Sequence, residues 1–68
     1  MPLIYGPISP IEPGHICDLC PSNPAVKAYV DGNTVYLCDL HAFVHSDLLW
    51  QRAEAIYDGA DILPPKPE

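Results

Sequence analysis

A small α+β fold organised by a bound metal is predicted by three observations. Two ligand-type pairs, Cys17-x2-Cys20 and Cys38-x2-His41, stand seventeen residues apart. Between them, two β-prone stretches flank Asp31-Gly32-Asn33, and after them the apolar spacing turns helical. The expected order is a knuckle, a β-hairpin and a C-terminal helix, with extended proline-rich ends. The predicted division is an arm over residues 1–15, a metal-binding domain over 16–59 and a tail over 60–68.

The arm holds Pro2, Pro7, Pro10 and Pro13 among Leu3, Ile4, Tyr5, Ile8 and Ile11. Each proline fixes φ and removes a donor, so an extended segment is expected, neither helix nor interior strand. Such an apolar arm either covers the small core or lies in a groove on another protein. Cys17-Asp18-Leu19-Cys20-Pro21-Ser22-Asn23-Pro24 reads as a knuckle closed by turn residues. Ala25–Val30 and Thr34–Leu37 are the hairpin strands, and the hairpin carries Cys38 back to the knuckle.

From Asp39, a plausible N-cap, a helix is expected to run to about Asp58, where Gly59 supplies a stop. Cys38 and His41 then straddle its first turn. On the helical wheel Leu40, Val44 and Leu48 share the face expected to pack on the hairpin. Phe43, Trp50 and Tyr57 form a second stripe, and Ala42, Leu49, Ala53 and Ile56 a further sector. Either the proline-rich ends wrap over this surplus, or Phe43, Leu49, Trp50, Ile56 and Tyr57 meet a protein partner or a second copy. The tail, with Pro64, Pro65 and Pro67, should be extended.

Two C-x2-[CH] pairs joined by a hairpin suit a tetrahedral Zn²⁺ held by Cys17, Cys20, Cys38 and His41. Knuckle, hairpin and ligand-bearing helix follow one another as in a treble-clef zinc finger. His45 and His15 compete with His41 for the fourth place, and His41 is favoured by spacing alone. Four protein ligands close the shell, which points to a structural and not a catalytic metal. A Cys38–His41 nucleophile and base is the enzymatic rival, and unligated buried cysteines are the bland one.

Size makes the metal matter. A single core in a 68-residue chain seldom supplies enough stability. Structural zinc contributes roughly 10–16 kcal/mol in small finger peptides. The three cysteines cannot all pair as disulfides, and neither a leader pattern nor a membrane-length apolar run occurs, so a reducing cytoplasmic setting is expected. Net charge is −6, and three thiolates against one Zn²⁺ make it about −7. With only Lys27, Arg52 and Lys66 as bases, far apart in sequence, nucleic-acid binding is not expected.

Over residues 16–52 the chain resembles short zinc-finger-like proteins of actinobacteria and their phages, a family of unknown function. The likeness lies in Cys17-Asp18-Leu19-Cys20, the alanine-containing Ala25–Val30 strand and Leu37-Cys38-Asp39-Leu40-His41. This chain lacks the doubled histidine some of those proteins carry after the third cysteine. The resemblance implies the metal fold and says nothing of activity. Together the readings lead to a non-enzymatic, zinc-stabilised protein-interaction module: a small phage-type accessory protein docking on a larger assembly, either a virion or a host machine. A nucleic-acid-associated finger or regulator and a zinc-dependent enzyme are the alternatives.

Overall fold

In the computed structural model, which describes residues 3–66, the elements run β1 (Leu3–Tyr5), β2 (Val26–Val30), β3 (Asn33–Leu37), α1 (Asp39–Val44), α2 (Ser46–Arg52) and β4 (Ala53–Asp58). The four strands form one antiparallel sheet in the order β1-β4-β2-β3. Residues 1–2 and 67–68 of the predicted ends lie outside the described residues.

The hairpin forms where expected, with a tighter turn. Val30 pairs with Asn33, which leaves only Asp31 and Gly32 in the loop. Their φ angles, 52° and 81°, are both positive, as a two-residue turn matched to the twist of its strands requires. Asp tolerates this conformation better than most residues, and Gly has no side chain to oppose it.

The long C-terminal helix is not formed. Helical structure ends at Arg52, and Ala53–Asp58 crosses the sheet as β4 between β1 and β2. Ala53-Glu54-Ala55 has good helix propensity, but tertiary pairing overrides it. Without β4 the inner edge of β2 would be an open row of donors and acceptors. Glu54 is the extra residue of a register shift, since Val30 pairs with Ala53 while Tyr29 pairs with Ala55.

A break at His45 divides the remaining helix, the His45 backbone standing at φ −101°, ψ 19°. The break lets α1 lie along β3 while α2 crosses β2 and β4. The helices cover one face of the sheet, where Val26, Ala28 and Ile56 meet Leu49 and Trp50 in the core. Expected and observed faces are therefore exchanged. Leu40, Val44 and Leu48, expected to pack on the hairpin, are exposed, whereas Ala42, Leu49, Ala53 and Ile56 are buried.

The surplus stripe is dispersed by the same change of structure. Phe43 is on α1 and exposed, Trp50 is on α2 and buried, and Tyr57 is on β4 and half-buried. Leu49, Trp50 and Ile56 belong to the core, so they do not form an open partner surface. Their burial completes a sheet that a continuous helix would have left without its central strand.

The other sheet face is covered by the segment that follows β1. Lys27 Nζ donates to Ser9 Oγ at 3.0 Å, and the His15 ring stacks on Tyr36 with centroids 4.2 Å apart. Gly6, at φ 78°, lies so close to β4 that a Cβ there would stand 2.7 Å from the Glu54 carbonyl oxygen. The tail folds onto the helix side instead. Asp58 Oδ2 accepts from the Leu63 N–H at 2.7 Å, Leu63 enters the core, and Trp50 Nε1 donates to the Pro64 carbonyl at 3.1 Å. Hence residues from both proline-rich ends pack on the central sheet.

Candidate metal centre

The two ligand pairs come from different kinds of local structure. Cys17 and Cys20 lie on the knuckle, whose Cys17 N–H donates to the Ser22 carbonyl at 2.9 Å and whose Leu19 N–H points at Cys17 Sγ at 3.4 Å. Asp18 fastens this loop to the outer edge of β3. Its N–H donates to the Tyr36 carbonyl at 2.8 Å, and its Oδ2 accepts from the Tyr36 N–H at 3.1 Å. The knuckle thereby occupies an edge that would otherwise be open. Asp18 thus docks the loop that carries the first candidate ligand pair.

The second pair sits at the start of α1. Cys38 itself is the N-cap, in place of the expected Asp39, with an extended backbone and its carbonyl accepting from the Ala42 N–H at 2.8 Å. Asp39 falls in the first helical turn, where its carboxylate is favourably placed near the helix N-terminus. His41, three residues after Cys38, turns its ring back towards the knuckle.

Cys17, Cys20, Cys38 and His41 offer ligand atoms that all lie within 4.8 Å of one another. The Cys20 and Cys38 sulfurs are 3.7 Å apart, His41 Nδ1 is 3.6 Å from Cys17 Sγ, and it is 3.2 Å from Cys38 Sγ. A tetrahedral Zn²⁺ with bonds of about 2.3 Å to sulfur and about 2.0 Å to nitrogen has edges of about 3.8 Å between sulfurs and about 3.5 Å from sulfur to nitrogen, so the donor set fits such an ion. No disulfide competes for the sulfurs. Cys17 and Cys38 are buried, while Cys20 and His41 are partly exposed.

The thiols are not equivalent. Burial opposes ionisation of Cys17, but the backbone N–H groups of Leu19, Cys38 and Cys20, with His41, outweigh it and lower its pKa from 9.0 to about 6. Cys38 is helped by the His41 backbone N–H, yet burial and the adjacent Cys20 and Cys17 sulfurs push its pKa above the usual thiol value. Thiols held this close resist joint ionisation unless a cation enters among them. The arrangement is chemically suited to receiving one.

The rival histidines lie outside this group. His45 is half-buried at the helix break, beside an apolar cavity. His15 Nε2 is 3.2 Å from the Tyr36 hydroxyl oxygen on the other sheet face. Sequence spacing finds the four converging residues but misses Asp18, because nothing local shows that its neighbour in space is the β3 edge. Comparison with protein-family models, curated proteins and solved structures returns no match. No described helix is long and apolar enough to cross a membrane.

Proposed function

We propose that the protein is a non-enzymatic interaction module whose fold is held by one structural Zn²⁺ on Cys17, Cys20, Cys38 and His41. The observation that carries this reading is the convergence of three sulfurs and one imidazole nitrogen within 4.8 Å. Four protein donors fill a tetrahedral shell and leave no place for the water or substrate that a catalytic zinc binds. The ion would tie knuckle to helix start across the hairpin, which supports a treble-clef-like reading of this part of the chain.

With the metal in a structural role, function falls to the surface that it positions. Leu40 and Val44 are 64% and 62% exposed on α1, and Phe43 between them is 59% exposed. Clustered exposure of large apolar side chains marks interaction sites. The proposed partner is protein, and the acidic balance of −6 disfavours nucleic acid. The resemblance to actinobacterial and phage finger proteins extends the proposal to an accessory protein that docks on a larger assembly in the reducing host cytoplasm or in a virion.

Affinity capture from the native host on the zinc-loaded chain tests the module reading. A partner retained by the zinc-loaded chain and lost after chelation supports it. A chain that turns over a substrate, or that captures nothing, overturns it.

A further inference from the structure

An apolar cavity of about 300 Å³ opens between the knuckle, the hairpin and α2. Leu19, Val35, Leu37, Leu48 and Leu49 line it. Leu19 and Leu48 also face solvent, at 56% and 48% exposure, so its rim is as apolar as its floor. Leu48 continues the outward row Leu40–Val44–Leu48, spaced by four residues through both helices.

Acidic residues adjoin this apolar surface along the chain. Asp18 lines the cavity, Asp31 follows Val30 of its wall, and Asp39 and Asp47 precede Leu40 and Leu48. All four are exposed. Of the bases, Lys27 is buried and donates to Ser9 on the opposite sheet face, Lys66 lies beside the Tyr5 ring, and Arg52 ends α2 four residues after Leu48, a single base against the four acids. A second copy would bring the same acidic residues against these, and like charges brought together at an interface repel.

We propose that this cavity and row dock a short, basic, amphipathic segment of a partner protein. Its apolar side chains enter the cavity beside Leu48, and its Lys or Arg side chains meet Asp18, Asp31, Asp39 and Asp47. This rests on the interaction-module reading and supplies the partner's chemistry. The docked segment would touch the loop that carries Cys17 and Cys20 through Leu19, so an intact metal centre is needed to form the surface.

The test uses the zinc-loaded full chain and two fluorescent synthetic peptides with the same leucine face, one bearing lysines opposite it and one glutamates. Anisotropy titrations at physiological salt should show the lysine peptide binding at least tenfold more tightly. Leu48→Ser with Val44→Ser should weaken it at least tenfold, and Asp47→Lys should narrow the difference between the peptides. These side chains are exposed, and unchanged zinc content and circular dichroism verify the fold of each variant. Equal binding of both peptides, no binding, or undiminished binding by the Leu48→Ser, Val44→Ser chain overturns the proposal. So does sedimentation as a dimer that those two changes dissociate. Host capture undiminished by the same changes removes this surface but leaves the module reading standing, whereas a chain that captures nothing removes both.

Discussion

Gly6 and Asp58 each carry a stringent single-residue requirement outside the candidate ligand set. At Gly6 a side chain meets two obstacles: positive φ, and a Cβ position 2.7 Å from the Glu54 carbonyl oxygen and 3.0 Å from Ala55 Cβ. Gly6→Ala should therefore destabilise the chain by about 1–3 kcal/mol, read from urea unfolding of the zinc-loaded form. Asp58 is fully buried, with Oδ2 accepting from Leu63 and Oδ1 without a hydrogen-bond partner among the described residues. Asp58→Ala leaves the Leu63 N–H unsatisfied inside the protein, and a loss of about 1–3 kcal/mol is expected in the same measurement. A stability equal to the parent's would mean that the tail turn does not depend on this carboxylate. At this scale the candidate site is largely legible in sequence, because each ligand pair is formed by neighbours three positions apart. Gly6 and Asp58 are not legible, since what constrains them is brought close only by folding.

At the scale of elements, the hairpin and the start of α1 can be read from local chemistry, and the last strand cannot. Asp31-Gly32 accepts the positive φ of a tight turn wherever it occurs, so the turn announces itself. Leu49, Ala53 and Ile56 continue a helical spacing, and alanines at 53 and 55 favour helix. The deciding fact is a slot between β1 and β2, and only the assembled sheet reveals it. Small residues suit a central strand covered on both faces: Ala55 is buried beside Gly6, and Ile56 faces the helices. The C-terminal segment secures that arrangement by laying Leu63 in the core and accepting the Trp50 indole N–H at Pro64. Leu63→Ala should cost about 2 kcal/mol, near the low end for a buried leucine because a chain end relaxes readily. It should also shift Trp50 emission to longer wavelength as water reaches the ring. An unshifted spectrum would show that the tail does not shield the indole.

For the whole molecule, two covered sheet faces stabilise 68 residues, and a metal ion held at one side would share that task. The prolines of the arm do not prevent it from contributing, because β1 is a short edge strand and the residues after it need no ladder bonds. Zinc bound by these residues would add a pH dependence of definite sign. Binding would displace the protons the three thiols still carry, so acidification would weaken it, by up to roughly a thousandfold per pH unit where all three are protonated. Cys17, with its pKa lowered to about 6, is the thiol that keeps its charge to lower pH, while Cys38, with its pKa raised, holds its proton longer unless a cation enters beside it. Zinc release on acid titration, followed with a chromophoric chelator, should precede or accompany loss of the folded signal. Unfolding with the metal still bound would contradict the linkage.

If Cys17, Cys20, Cys38 and His41 close the shell of a structural zinc ion, X-ray absorption at the zinc edge of the purified chain will register it. The expected result is one zinc per chain with three sulfur neighbours at about 2.3 Å and one nitrogen at about 2.0 Å, without bound water. A shell with an oxygen neighbour in place of a protein ligand, or a chain that folds fully without retaining any metal, would contradict it.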